Sequence, residues 1–261
     1  MVDRQAVFQM MEHFGICRDD KVTVHSSLRA VGPIENGAEG LLDAMREYLC
    51  NGLLLIPTHT WRDFYLRPYY DPRETETCLG VLSRIAAFHP DGVRSLHPTH
   101  SVAVFGKGAA EYVSKEKTFT SPQPADHCVS RLREEKGKIL LLGVGLESCT
   151  YIHGVEEWLK IPNRLTKEGF PVAVKNPDGS FLHAQLHAYR AEGLDRGVSD
   201  FYPNLEKPLA YLGALTYGQL GQAQVMCCDA AKTSDALKLL WSKAEFDLCF
   251  GEREIPEAYY R

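Results

Sequence analysis

Short apolar runs alternate along the chain with segments whose apolar residues recur every three or four positions. The recurrence predicts amphipathic helices, and the runs bounded by turn residues predict buried strands. The predicted helices are 6–14, 38–49, 79–86 and 234–245. The predicted strands are 21–24, 53–56, 101–105, 139–144 and 224–228. Strands that alternate with helices indicate an α/β sheet protein.

Two connecting segments add to this pattern. Asn176-Pro-Asp-Gly179 lies between two apolar runs and predicts a β-hairpin. Residues 61–78 are aromatic and polar, so we expect a long surface loop that carries binding groups. The chain shows no internal repeat and no low-complexity linker, which favours one domain over 1–261 with an irregular portion in roughly 165–222.

The strongest chemical signal is Thr150-Tyr-Ile-His153-Gly-Val-Glu156, which follows the apolar run 139–144. The spacing places both side chains on one helix face, as also happens by chance on surface helices. Position favours function, because ligands bind at the carboxyl ends of strands in α/β sheets. A neighbouring carboxylate fixes the tautomer of a histidine and raises its basicity, so we expect a pKa near neutrality. His153 and Glu156 are therefore predicted as a general base and its partner.

Two further segments carry candidate chemistry. His25-Ser-Ser-Leu28 follows the first strand, where hydroxyl and N–H groups either hold a phosphate or an oxyanion or form only a polar turn. Arg94–Ser101 contains His97 and His100, a pair that suggests a zinc site. The pair has no nearby Cys or HExxH partner, so the evidence for zinc is weak. A pocket wall is the favoured interpretation of that segment.

Cys149 lies beside the His153 segment and is an alternative candidate, as a catalytic nucleophile. Buried packing is the commoner role of a cysteine.

Composition narrows the class of protein. The 261 residues carry a net charge of −5, which argues against a nucleic-acid binder. No stretch approaches the roughly 20 apolar residues of a membrane helix, and the first residues lack a signal-peptide pattern. The eight cysteines form no CxxC pair and are interpreted as reduced. We expect a cytoplasmic enzyme that does not bind a membrane.

Three segments together resemble the aminoglycoside 3-N-acetyltransferase family, also called the antibiotic N-acetyltransferase family. They are His25-Ser-Ser-Leu-Arg-Ala-Val-Gly32, Arg94-Ser-Leu-His-Pro-Thr-His-Ser101 and the stretch from Leu140 to Glu156. Asp71-Pro72 and Gly80 also fit the middle loop of that family. The order and spacing match over roughly residues 4–165, and beyond that the resemblance thins.

The resemblance implies a mixed central sheet flanked by helices, unlike the common acetyltransferase superfamily (GNAT), whose pyrophosphate loop is absent here. It implies acetyl-CoA as co-substrate, a small-molecule amine as acceptor, no metal, and an antibiotic-resistance function. The general base is then His153, assisted by Glu156. The residues assigned to the CoA site are His25, Ser26, Ser27, Leu28, Arg29, Val31, Gly32, Ser95, His97 and Ser101. The residues assigned to the acceptor are Asp63, Tyr65 and Thr150, with 165–222 as the acceptor-binding portion.

Two departures from the family pattern affect the expected acceptor. The stretch Pro124-Ala-Asp-His-Cys128 stands where relatives carry a Ser-Pro pair, and Glu76-Thr-Cys78 stands where they carry Thr-Pro-Ser. We expect both changes to reshape the acyl or acceptor pocket. The prediction is thus an N-acetyltransferase acting on an aminoglycoside or a related amine. The alternatives are a non-catalytic or non-antibiotic CoA-binding relative and a metal-dependent hydrolase that uses His97, His100 and a carboxylate.

Overall fold

The computed structural model describes residues 1–64, 66, 68–194, 196–249 and 253–261. Within them the chain forms a seven-stranded mixed sheet and a three-stranded sheet. The strands are β1 (Lys21–Ser26), β2 (Leu53–Pro57), β3 (Tyr69–Tyr70), β4 (Val93–Arg94), β5 (Val102–Phe105), β6 (Lys138–Leu142), β7 (Phe170–Lys175), β8 (Phe181–Leu186), β9 (Leu215–Leu220) and β10 (Ala223–Asp229).

The large sheet has the strand order β4-β5-β2-β1-β6-β10-β9. The central strands β2, β1 and β6 run parallel, whereas the pairs nearer both edges are antiparallel. The small sheet has the order β3-β7-β8, and its β7–β8 pair is the hairpin predicted from Asn176–Gly179.

Helices cover both faces of the large sheet. They are α1 (Arg4–His13), α2 (Leu28–Val31), α3 (Gly37–Tyr48), α4 (Trp61–Phe64), α5 (Val81–Ala87), α6 (Ala109–Ser114), α7 (Tyr151–Trp158), α8 (Glu206–Tyr211) and α9 (Ala230–Lys243). Shorter 3₁₀ helices are Ser130–Arg133, Leu146–Ser148, Val198–Leu205 and Glu257–Tyr259. Every strand and helix predicted from the apolar pattern is present. Helix α9 begins four residues earlier than predicted, because the Asp229 carboxylate accepts a hydrogen bond from the Lys232 N–H and caps it.

The apolar run of β6 is buried on both faces of the large sheet. Ile139 and Leu141 pack into the core that contains α7 and α9, whereas Leu140 and Leu142 pack into the core that contains α1 and α3. A strand covered on both faces needs consecutive apolar residues instead of alternation. The continuous run in the sequence therefore identifies a central strand.

A glycine ends β6 and turns the chain. Gly143 has φ +65°, a left-handed conformation that favours glycine, and an added Cβ would lie 2.6 Å from the Cβ of Ala30. The chain therefore leaves the sheet at the carboxyl end of β6 and packs closely against α2. The 3₁₀ helix Leu146–Ser148 and then α7 follow from this turn.

The prediction of a surface loop over 61–78 is wrong for its middle part. Tyr70 and Asp71 are fully buried. The guanidinium of Arg94 donates hydrogen bonds to the carbonyl oxygens of Pro72 at 3.2 Å and Thr75 at 2.6 Å. These bonds fix the segment against the sheet, and such long-range partners cannot be read from local polarity. No helix among the described residues is long and apolar enough to span a membrane.

Candidate active site

A cavity of about 410 Å³ lies at the carboxyl ends of the central parallel strands. Its residues include His25 and Ser26 from β1, Pro57 from β2, and Val144 and Ser148 after β6. Ligands of α/β proteins characteristically bind at this edge, and the volume lies within the usual range for small-molecule sites.

The opposite wall comes from the second half of the chain. Phe170 and Leu186 from the small sheet, Tyr189 after it, and Val198 and Ser199 from the 3₁₀ helix Val198–Leu205 line the cavity. These residues lie inside the irregular portion that the sequence placed in roughly 165–222. The cavity thus has a wall of strand ends and a wall of largely apolar and aromatic side chains.

His153 reaches the cavity from the first turn of α7. The residue is 9% exposed, and it lines the cavity. Its Nδ1 lies 2.6 Å from the hydroxyl of Tyr202. Among the described residues no protein group is hydrogen-bonded to its other ring nitrogen, Nε2. One nitrogen is therefore fixed by the protein, and the other is the one that can meet a ligand.

Glu156 is enclosed by hydrogen-bond donors. Its Oε2 accepts from the hydroxyls of Tyr189 and Tyr202, the latter at 2.6 Å. Its Oε1 accepts from Nε of Arg164 at 2.8 Å. Arg164 is itself 2% exposed and forms a second, bidentate ion pair with Asp247 at 2.9 and 2.7 Å. The carboxylate is therefore held from three sides in a fixed position.

The expected pKa near neutrality for the His153–Glu156 pair is wrong. The shared helix face does bring both side chains together. However, His153 and Glu156 are each hydrogen-bonded to the hydroxyl of Tyr202, which bridges them. Burial first, then the positive charge of Arg164 and the repulsion from His25 once it is protonated, lower the pKa of His153 to about 3. The imidazole is consequently neutral at physiological pH, the form that a base requires.

Arg164 is expected to support the stability of this site. Replacing it with methionine, which has a similar length, leaves Glu156 buried without its cation, and removing one partner of a buried ion pair costs about 3–5 kcal/mol. Urea unfolding of Arg164→Met should show a loss of that order. The control Arg164→Lys keeps a charge without the bidentate geometry and should lose less. Equal stability of Arg164→Met and the parent would contradict the interpretation.

Three more histidines line the cavity. They are His25, His59 and His100. Burial lowers the pKa of His25 to about 4 and holds the pKa of the other two well below the usual value. The Nε2 atoms of His25 and His59 have no hydrogen-bond partner within the described structure. A buried polar atom of this kind calls for a partner, so these two histidines fit polar groups of a bound molecule.

Ser95, His97 and Ser101, assigned to the CoA site from the sequence, do not line the cavity. All three are fully buried. His97 Nε2 donates to the carbonyl of Ser121 at 2.8 Å, and its Nδ1 accepts the backbone N–H of His100 at 3.0 Å. Both nitrogens of His97 are thus engaged in shaping the loop, which also removes one of the two ligands of the metal hypothesis. The Ser101 hydroxyl donates to the carbonyl of Thr58.

The first loop contributes less than expected. His25 and Ser26 line the cavity, whereas the other predicted CoA ligands of this loop are not among its lining residues. Val31 is fully buried in the core, and its carbonyl accepts the N–H of Gln222 at 3.0 Å. The remaining members are Ser27, which precedes α2, together with Leu28, Arg29 and Gly32.

The residues assigned to the acceptor have different outcomes. Thr150 lines the cavity. Asp63 lies in the short helix α4, and Tyr65 lies outside the described residues.

Cys149 is 1% exposed and packs in the core, which favours the packing interpretation over the nucleophile. Glu157 bonds to the hydroxyl of Ser121 at 2.5 Å, away from the bridge between His153 and Glu156, and burial raises its pKa to about 7.

The family model described as aminoglycoside 3-N-acetyltransferase matches residues 23–240. The chain belongs to this family. Aminoglycoside N(3)-acetyltransferase III of Serratia marcescens is 28% identical over 238 residues, which cover 80% of this chain and 86% of the relative. These matches confirm the predicted family and its acyltransferase class.

Solved structures of the family share the fold. The apoenzyme of aminoglycoside acetyltransferase AAC(3)-IVa is 26% identical, with a TM-score of 0.76 over 98% of this chain and 93% of that chain. The binary complex of AAC-IIIb with CoASH is 20% identical, with a TM-score of 0.78 over 94% and 98%. The predicted mixed α/β fold of the aminoglycoside 3-N-acetyltransferases is therefore confirmed.

Sequence reasoning missed four side chains of this site. Tyr189, Tyr202 and Arg164 all lie C-terminal to Glu156, beyond the last recognised motif. His59 lies two residues after β2, and the rule that selected His25 beside the end of the first predicted strand would have found it as well. The missed residues thus include both phenols and the guanidinium that fix Glu156.

Proposed function

We propose that the protein is an acetyl-CoA-dependent N-acetyltransferase in which His153 is the general base. Acetyl-CoA supplies the acetyl group as an activated thioester. His153 Nε2 takes the proton of the acceptor amine as its nitrogen forms the bond to the acetyl carbon. The thioester C–S bond breaks, and the sulfur leaves with the proton that His153 took from the amine, which returns the imidazole to its neutral form. Glu156 stabilises the imidazolium that forms, and His25 and Ser26 at the end of β1 line the thioester side.

One observation carries this proposal. His153 is a buried, neutral histidine whose Nδ1 is fixed by Tyr202, and it lines a cavity at the carboxyl ends of parallel strands. A neutral imidazole with one fixed nitrogen is the state in which the other nitrogen accepts a proton. The complex of AAC-IIIb with CoASH supports CoA as the leaving molecule.

The acceptor is proposed to be an aminoglycoside or a related amine, as the names of the relatives indicate. We place it against the wall formed by Phe170, Leu186, Tyr189 and Val198, with Thr150 near the reacting end. Asp63 and the cavity-lining residues of 165–222 stay predicted acceptor contacts. An acceptor amine with a pKa of about 10 is mostly ammonium at pH 7, so loss of its proton must precede or accompany attack.

The proposal is tested by release of CoA thiol from acetyl-CoA in the presence of an aminoglycoside and of simple monoamines. Thiol release should require a free amine, so the same acceptor with its amines already acetylated is the matched control. Because its lowered pKa keeps His153 neutral throughout the pH range in which the protein stays folded, kcat/KM should rise with pH as the amine loses its proton, without a break near 6.5. Acetyl-CoA binding by calorimetry without thiol release for any amine would contradict the proposed activity.

A further inference from the structure

We propose that Tyr202 is a positioning residue that joins Glu156 to His153 and determines which nitrogen of the histidine faces the cavity. The proposal rests on the proposed function, in which His153 is the base. It differs from the pairing expected from the sequence, where the carboxylate orients the histidine through a direct contact.

Counting protons along the three side chains fixes their hydrogen bonds. The Tyr202 hydroxyl lies 2.6 Å from Oε2 of Glu156 and 2.6 Å from Nδ1 of His153. A phenol has one proton to donate. Glu156 only accepts, because it also receives bonds from Tyr189 and from Arg164. The phenol proton therefore points to Glu156, and the bond to His153 must use a proton on Nδ1.

The tautomer of His153 follows from this order. With its proton on Nδ1, a neutral imidazole carries a free electron pair on Nε2. That nitrogen is the one without a hydrogen-bonded protein partner among the described residues. The bridge thus keeps His153 in the form that accepts a proton, and it connects the positive charge formed on the ring to the carboxylate through one hydroxyl.

The surroundings hold the bridge in one geometry. Tyr202 is fully buried in the 3₁₀ helix Val198–Leu205, and the same helix contributes Val198 and Ser199 to the cavity wall. Burial and the charge of Glu156 raise the pKa of Tyr202 well above its usual value, so the hydroxyl keeps its proton. Arg164 in turn anchors Glu156.

Tyr189 provides a comparison inside the same site. Its hydroxyl donates to the same oxygen of Glu156, and its ring centroid lies 3.8 Å from that of His153. The Tyr189 hydroxyl lies 3.3 Å from the Tyr202 hydroxyl. Among the described residues, only Tyr202 forms a hydrogen bond with Nδ1 of His153. The two phenols therefore share the carboxylate and differ in the bond to the base.

The test compares Tyr202→Phe with Tyr189→Phe. Each removes one hydroxyl donor from Glu156, but only Tyr202→Phe removes the acceptor of the Nδ1 proton. The ¹⁵N shifts of selectively labelled His153 report its tautomer directly. We expect one protonated nitrogen, Nδ1, in the parent and in Tyr189→Phe, and a mixture of tautomers in Tyr202→Phe. We expect kcat to fall by more than about tenfold in Tyr202→Phe, by less than in a variant without His153, with KM for acetyl-CoA little changed.

Two results would overturn the proposal. One is an unchanged His153 tautomer in Tyr202→Phe, and the other is an equal change of tautomer and kcat in both variants, which would place the whole effect in Glu156. The spectrum needs no turnover, so it tests the bridge even if the protein proves inactive with every amine. Failure of the proposed function would instead appear as absent thiol release with the tautomer pattern intact.

Discussion

Replacing His153 with alanine is expected to lower kcat by about 10²- to 10⁴-fold, the usual contribution of a general base. The variant removes the only step in which the protein takes a proton from the amine in the proposed reaction. Acetyl-CoA should still bind, because the strand-end wall with His25 and Ser26 is unchanged. The measurement is steady-state thiol release with saturating acetyl-CoA, together with calorimetry of acetyl-CoA binding.

His183→Ala is the matched control for the variant without His153. His183 is an exposed histidine on β8 and does not line the cavity. Its loss should leave kcat within the error of the parent. Near-normal turnover in His153→Ala would remove the histidine from the mechanism, whereas a loss of acetyl-CoA binding would assign it to substrate binding instead.

The fold was largely predictable because its signals are local. The apolar run 139–144 marks a strand buried on both faces, and Asn176–Gly179 marks a hairpin, whatever lies elsewhere in the chain. The short strands β3 and β4 gave no such signal. Each has two residues, and each exists through its pairing with a partner strand, β7 and β5 respectively. Pairing between distant segments depends on tertiary packing, and the spacing of apolar residues along the sequence contains no information about it.

The sequence was sufficient to predict His153 as the general base. It was not sufficient to predict Tyr202, which fixes the position of His153. His153 could be found because a strand end and an i,i+3 carboxylate lie next to it in the sequence. Tyr202 lies 49 residues away from it and comes from a segment without a motif. His97 shows the opposite failure, because a conspicuous motif turned out to bind backbone groups and shape a loop. The sequence does not show whether a polar residue in a motif binds a ligand or only shapes a loop. The hydrogen-bond partners in the folded structure decide between these roles.

The largest expected effect on stability is a loss of folding free energy between pH 6.5 and pH 5. Six histidines are buried: His25, His59, His97, His100, His127 and His153. Burial lowers the pKa of each, to about 4 for His97 and His127, for example. An unfolded chain takes up these protons below its pKa of about 6.5, whereas the folded chain does not. Their stabilising contribution is therefore complete above pH 6.5 and is lost as the pH falls towards 4.

Glu157 opposes this trend by one proton, because its pKa of about 7 lets the folded chain hold a proton that the unfolded chain releases. The difference of about five protons corresponds to at most about 7 kcal/mol per pH unit, against a typical total stability of about 5–15 kcal/mol. We therefore expect the fold to be lost within about two pH units below 6.5. Urea unfolding at pH 7.5, 6.5 and 5.5 measures the slope.

A single-histidine variant separates this linkage from general acid sensitivity. His127 lies outside the cavity lining and donates from Nε2 to the carbonyl of His100 at 2.9 Å. Glutamine retains an N–H donor there and cannot take up a proton, so His127→Gln should reduce the slope by about 1.4 kcal/mol per pH unit, whatever its stability at pH 7.5. His183→Gln, the same substitution at an exposed histidine, is the matched control for the change of side chain. A parent stability that stays constant from pH 7.5 to 5.5 would show that these histidines take up protons in the folded protein as readily as in the unfolded chain, and the lowered pKa assigned to His153 would fail with them.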